Sequence, residues 1–369
     1  MLPDRSLLGW RRTEVSVGNR PRIKDVAQRA GVSQKTVSNV INDHPNISPR
    51  TRAAVEEAIA ALGYRVNLAG RHLRRGESGV IALIVPELDL GYFAELSDLI
   101  IREAKRHSRT VLVHQTEARR EREMAALDGF GTDFVDGVLF NPLAMDDDDL
   151  DAHRTRLPVV LLGETPQAGR HHHVTIDNVR AAREATDHLL DSGRTRIAVI
   201  GGRPPGPTGT AELRAQGYRE ALEARGLEYD PALVRPARHF HWQDGADLAA
   251  ELVNGPRPPD ALLCLNDPLA LGAVRALYDA GVGVPGDVAV VGFDDIALGR
   301  YSVPSLTTVS PDKPGLARAA VELLIAEIEA RRSGQGATEE AAAEPQAPVV
   351  KEIVIGHTLL VRESSGPKG

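Results

Sequence analysis

Apolar positions divide the chain into two regimes. Between Arg22 and Gly63, the residues Ile23, Val26, Ala27 and Ala30 recur at helical spacing and predict one apolar stripe on a short first helix. Gly31 follows, suited to the left-handed turn that ends a helix. Ser33 stands at an N-cap position and opens a second helix through about Ile41, with Val37, Val40 and Ile41 facing inward. Ser48, with Pro49 after it, starts a third helix that ends at Gly63. Two short helices around a Gly-containing turn make a helix-turn-helix, and the small Ala27 and Gly31 before Val37 let them approach closely.

After Gly79 the period changes. GVIALIVPEL, TVLVHQT, DGVLFNPL, PVVLLGE, RIAVIGG, PDALLCLND and VAVVGFDD are short runs rich in β-branched residues, most of them separated by helical patterns. Continuous apolar strands alternating with helices predict parallel sheets covered on both faces. The pattern outruns one ordinary domain and predicts two similar subdomains. Ligands in such folds lie beyond the carboxyl ends of strands, so the polar residues that end these runs are the binding candidates.

Charge sharpens this division. Residues 1–76 hold 14 Lys and Arg against 6 Asp and Glu, whereas the remainder holds 30 against 45. A basic head on an acidic body is expected when only one end meets a polyanion, although a solvated basic face has the same composition. The ordered helices within the basic segment favour DNA.

Here the residues resemble a known family. IKDVAQRAGVSQKTVSNVIN followed by NISPRTRAAVEEAIAALGYRVN is similar to the head of the lactose/galactose repressor (LacI/GalR) family of bacterial transcription regulators. The resemblance implies that the second helix enters the major groove. Gln34, Lys35 and Asn39 would then read base edges: Gln and Asn pair bidentately with adenine, and Lys donates to guanine acceptors. Most members carry Arg where this chain has Asn39. Ser33, Thr36, Ser38, Asn46 and Thr51 would meet the DNA around them, chiefly phosphates that fix register. Residues 65–79 resemble the family's hinge, in which Leu73 would wedge into the minor groove while Arg71 and Arg74 engage the backbone.

The body resembles the same family through VTIDNVRAAREATDHLLDSGRTRIAVIGG, RAQGYREAL, NDPLALGAVRALYDAGVGVPGDVAVVGFDDI and PSLTTVSPD, so coverage runs from about Arg22 to Glu363. The implied fold is an all-α helix-turn-helix head plus an α/β periplasmic-binding-protein-like body of two parallel-sheet subdomains. Its cleft would hold a small effector, here expected to be a carbohydrate. By position, Tyr92, Phe93 and Asn141 would line the cleft from one subdomain, and Arg214, Phe240, Trp242, Asn266, Asp267 and Asp294 from the other. Amides and carboxylates bridge hydroxyl pairs, and aromatic rings pack on the C–H face of a sugar. Asn266 and Asp267 are equally explained as helix caps, and capping is the favoured reading of Asp177 and Asn178.

The expected organisation is an extension over 1–20, a DNA-binding head over 21–64, a hinge over 65–79, a body over 80–363 with a low-complexity insertion at 333–348, and a tail over 364–369. No run approaches the roughly 20 apolar residues of a membrane helix, and no apolar signal-peptide region opens the chain, so a cytoplasmic, nucleoid-associated protein is expected. Cys264 is the single cysteine and no Cys/His cluster has zinc spacing, so no metal or cofactor is expected. His171, His172 and His173 read as a solvated loop. No GxSxG elbow or P-loop appears, which disfavours an enzyme. A solute receptor would fit the body alone but not the basic head. The expectation is a homodimeric, effector-controlled repressor on near-palindromic operator DNA. The alternative is an activator or global regulator that uses a co-protein or a nucleobase-like corepressor.

Overall fold

The computed structural model describes residues 21–41, 44–64, 77–130, 134–152, 157–163, 171–202, 209–335 and 350–366. They form two compact units that part after Arg75.

The first unit holds three helices, α1 (Ile23–Ala30), α2 (Gln34–Ile41) and α3 (Pro49–Leu62). One valine from each helix, Val26, Val37 and Val55, is completely buried, and Ala27, Val40 and Ala58 complete the core. Helix boundaries follow the sequence. Gly31 takes the left-handed conformation at φ 67° and ends α1. The Ser33 hydroxyl accepts from the Thr36 N–H at 3.0 Å, and Ser48 accepts from the Thr51 N–H at 3.2 Å. Each cap satisfies a backbone donor at a helix start that would otherwise have no partner.

The second unit is built on two six-stranded sheets. The first contains β1 (Val80–Val85), β2 (Thr110–Gln115), β3 (Val138–Phe140), β4 (Val159–Leu162), β5 (His172–Ile176) and β11 (Glu352–Ile355). Its order is β11-β5-β4-β3-β1-β2 and all its pairs are parallel. The second contains β6 (Ile197–Ile200), β7 (Val234–Arg235), β8 (Ala261–Cys264), β9 (Ala289–Phe293), β10 (Thr307–Pro311) and β12 (His357–Leu360). Its order is β12-β10-β9-β8-β6-β7, with β12 antiparallel to β10.

Both faces of each sheet are covered, as the uninterrupted apolar runs require. Along β1, Ile81, Leu83 and Val85 meet α4 (Gly91–Arg106) and α12 (Lys313–Gln335), while Ala82 and Ile84 face α5 (Arg120–Gly129). The second sheet is sandwiched between α7 (Asn178–Asp191) with α8 (Thr210–Ala224) and α9 (Trp242–Val253) with α10 (Asp267–Asp279).

The chain passes between the lobes at three points, each one residue long. Asp177 joins β5 to α7, Asp312 joins β10 to α12, and Gly356 joins β11 to β12. Asp177 and Asp312 also cap the helices they open, accepting from the N–H groups of Arg180 and Gly315 at 2.9 Å. The Asp312 N–H bonds the Gly356 carbonyl at 3.0 Å, tying two crossings together.

Three expectations change. His172 and His173 lie in strand β5 rather than a solvated loop, and His173 is buried. Ser364 and Ser365, assigned to a tail, are buried: Ser364 donates to the Val290 carbonyl at 2.6 Å and Ser365 bonds Thr307 at 2.7 Å, so the body continues through them. Helix α12 runs through Gln335, into the segment read as an insertion. The extension over 1–20 and most of the hinge, including Arg71, Leu73 and Arg74, lie outside the described residues.

Helices α9 and α10 touch backbone to backbone because glycine stands on both sides: a Cβ on Gly272 would overlap the Trp242 carbonyl, and one on Gly245 would overlap that of Leu269. Backbone cannot yield as a flexible side chain does. Gly272→Ala is therefore expected to destabilise the body by about 2–3 kcal/mol, read by chemical denaturation. An unchanged midpoint and slope would show that the crossing has slack.

Candidate functional site

Two surfaces carry the expected chemistry, one on each unit. On the first unit, Gln34 and Lys35 are exposed at the start of α2, and Asn46 is exposed before α3. Ser38 and Asn39 are half-buried on α2. The hydroxyls of Ser33 and Thr36 lie 2.9 Å apart and those of Ser48 and Thr51 2.8 Å apart, so these four side chains order helix starts. A helix N-terminus flanked by hydroxyls and amides is suited to a phosphate or a base edge.

On the second unit a cleft of about 780 Å³ lies at the carboxyl ends of the strands, with walls from both lobes. It is lined by Tyr92, Phe93, Asn141, Arg214, Phe240, Asn266 and Asp294, seven of the nine residues expected there. The other two are elsewhere. Trp242 is the first residue of α9 and stands 44% exposed outside the cleft. Asp267 is completely buried: it accepts from the Ile296 N–H at 2.8 Å and the Thr308 hydroxyl at 2.6 Å, and so joins loops behind the cleft wall. Burial, together with the nearby Asp294 charge, pushes its carboxyl well above the usual range.

Arg214 is held on three sides. Its Nε donates to Asn178 Oδ1 at 2.9 Å, a terminal nitrogen donates to the Leu265 carbonyl, and the guanidinium lies 3.5 Å from the centroid of the Phe293 ring. Its other terminal nitrogen sits 3.7 Å from Asp294 Oδ1. Asn178 was read as a cap, yet Asp177 performs that role and leaves the Asn178 amide to orient the arginine. Asp295, by contrast, is tied to Arg300 and Arg362.

Asn141 is 4% exposed and donates to the Leu162 carbonyl at 2.8 Å. Its Oδ1 has no hydrogen-bond partner among the described residues, although it lies in the cleft wall. A buried acceptor of this kind calls for a donor, from water or from a ligand in the cleft. Asn266 uses both ends of its amide internally, accepting from the Leu269 N–H and donating to the Phe240 carbonyl, each at 2.9 Å. It therefore shapes the wall more than it offers free valence. Tyr92 and Phe93 stand edge to face at 5.3 Å.

Backbone strain concentrates here. Six non-glycine residues among those described have positive φ, and four of them, Glu117, Ala118, Phe240 and Asp294, line the cleft. Such conformations cost of order 1–3 kcal/mol each and cluster at functional sites. The lining mixes Glu87, Glu117, Glu212 and Asp294 with Arg119, Arg214 and Arg238. No single sign dominates, which suits a neutral, hydroxylated ligand better than an anion.

Comparison with known proteins covers both units. Residues 22–67 match the family described as bacterial regulatory proteins, lacI family, and residues 186–359 match a periplasmic binding protein-like domain. The HTH-type transcriptional repressor CytR of Escherichia coli is 32% identical over 315 residues, covering 85% of this chain and 92% of the relative. A solved transcriptional regulator CelR–cellobiose complex aligns at 31% identity with a TM-score of 0.66, over 94% of this chain and all of that one. The lac repressor dimer bound to operator and the anti-inducer ONPF aligns at 26% identity with a TM-score of 0.77, over the same shares.

Burial raises the Asp294 carboxyl from 3.8 to about 6, against the lowering effects of Arg214 and Lys313. The folded state thus holds a proton more tightly than the unfolded chain. Relative to Asp294→Asn, wild-type stability is expected to fall as pH rises from about 4 to about 6 and to stay level above that, by on the order of 3 kcal/mol. Urea denaturation of both proteins across this range measures the difference. Parallel curves would place Asp294 in water.

Proposed function

The chain belongs to the lacI family of bacterial regulatory proteins, and from that premise we propose that it is a sequence-specific DNA-binding repressor controlled by a carbohydrate in the cleft. Two copies would present their α2 helices to successive half-sites of a dyad-symmetric operator in the bacterial cytoplasm. Gln34, Lys35 and Asn39 read base edges, and the capped helix starts meet phosphates.

The observation that carries the effector reading is the polar set at the cleft wall. Arg214 is fixed in direction by Asn178, Leu265 and Phe293 before any ligand arrives. Asn141 offers a buried acceptor and Asp294 a carboxylate, while Tyr92, Phe93 and Phe240 supply apolar faces. Preset donors and acceptors around aromatic walls recognise vicinal hydroxyls. The CelR structure contains cellobiose, which supports the carbohydrate class. CytR and the lac protein are both named as repressors, which favours repression over the alternative of an activator with a co-protein or a nucleobase-like corepressor.

Control requires that the carbohydrate bind the DNA-competent and DNA-incompetent states with different affinity. The three one-residue crossings are where a change of lobe angle would be absorbed.

Arg214→Ala is expected to abolish carbohydrate-induced release of the operator while leaving sugar-free operator affinity within about twofold. Asn141→Ala should weaken the response in the same direction. Gel-shift titration against an operator selected from random duplexes reads both. A normal response in the two variants would remove this wall from the effector site. Gln34→Ala and Lys35→Ala should each cost about 1–3 kcal/mol of discrimination at one position per half-site, measured on single-base operator variants. Uniform weakening on every duplex would reassign them to the phosphates.

A further inference from the structure

One cluster joins the two lobes at the mouth of the cleft. Glu87 and Asp89 lie on the loop that follows β1, and His241 is the residue that precedes α9 on the opposite lobe. One ligating atom from each of the three lies within 4.8 Å of the others. His241 Nε2 and Glu87 Oε2 are 2.6 Å apart, the side chains being 30% and 20% exposed. Neither Glu87 nor Asp89 forms an ion pair with Lys or Arg among the described residues.

The local backbone adds a second imidazole. Phe240 adopts φ 57° between His239 and His241, and the two rings stand 6.5 Å apart, edge to face. Two imidazoles on one tetrahedral ion stand roughly 5 Å apart, so His239 would join the cluster only after its ring moves closer. Glu87 and His239 also line the cleft.

We propose that Glu87, Asp89 and His241 form a transition-metal site of the zinc class that bridges the two lobes, with His239 available as a fourth ligand. The donor set decides the chemistry: imidazole nitrogen with carboxylate oxygen suits zinc-type ions better than calcium or magnesium, which favour all-oxygen shells. Charge points the same way. Even with His241 protonated, two carboxylates within 4.8 Å leave net negative charge at the lip, and a divalent cation neutralises it. Because the ligands come from both lobes, an occupied site clamps the mouth across which the effector passes. The spacing 87, 89, 239 and 241 matches no zinc motif, because the two halves of the site meet only through the fold.

The test uses the full chain, stripped with a chelator and titrated with Co²⁺, the visible spectroscopic stand-in for Zn²⁺. One equivalent per chain should give saturable d–d absorption that Zn²⁺ displaces. Asp89→Asn, at an exposed side chain, should weaken the affinity about tenfold or more, and Glu87→Gln with His241→Asn should abolish the signal. Metal-free thermal unfolding of each variant checks that it is folded. Absence of saturable uptake overturns the proposal, as does uptake unchanged in Asp89→Asn and the double variant, which would put the ion elsewhere. The assay contains neither effector nor operator, so its outcome is independent of the regulatory reading above.

Discussion

The body of this protein is two sheets held by one chain that changes lobe three times, each time through a single residue. A one-residue passage leaves almost no slack in translation but permits rotation about the few bonds at the crossing. Asp177 and Asp312 are fixed as helix caps, and Asp312 is bonded to Gly356, so the crossings form one narrow axis. Two side chains that fix the cleft wall follow directly on those crossings. Asn178 is the next residue after one crossing and orients Arg214, while Lys313 follows another and bonds the Asp294 carbonyl at 2.9 Å.

This arrangement explains why the cleft is strained and why its polar residues are so fully engaged. A wall that must read a small molecule and also report a change of lobe angle needs side chains with fixed directions. Arg214 has three anchors, and Asn266 uses both ends of its amide. Asp294 and Phe240 hold positive φ values at the wall. If the effector binds here as proposed, a ligand that cannot satisfy the Asn141 acceptor would leave it buried without a partner, and the wall would be selective for that reason.

Much of this was legible in the sequence, for physical reasons that differ by region. The helix-turn-helix could be read almost residue by residue, because caps, turn glycines and the apolar stripe are local signals within about forty residues. The central strands were equally plain, since both their faces are buried and their apolar runs are continuous. Strands β5, β11 and β12 were not. HHVTI, EIVI and HTLL carry histidines, threonine or glutamate, and their state is set by neighbours far along the chain. The seven expected residues that line the cleft came from position within a family pattern. Trp242 and Asp267 were misplaced because a residue at a helix start can face the cleft, the solvent or the core, and only packing decides. The charged lip was invisible for the same reason: His241 and Glu87 meet across 154 residues of chain.

On the proposed function, occupancy of the cleft weakens the hold of the helix-turn-helix on DNA. The direct measurement is fluorescence anisotropy of a labelled dyad-symmetric operator titrated with the full chain, with and without a saturating neutral sugar that calorimetry has found to bind it. Operator affinity should fall by about tenfold or more, within the range usual for coupled sites. Equal affinity with the sugar bound would contradict it.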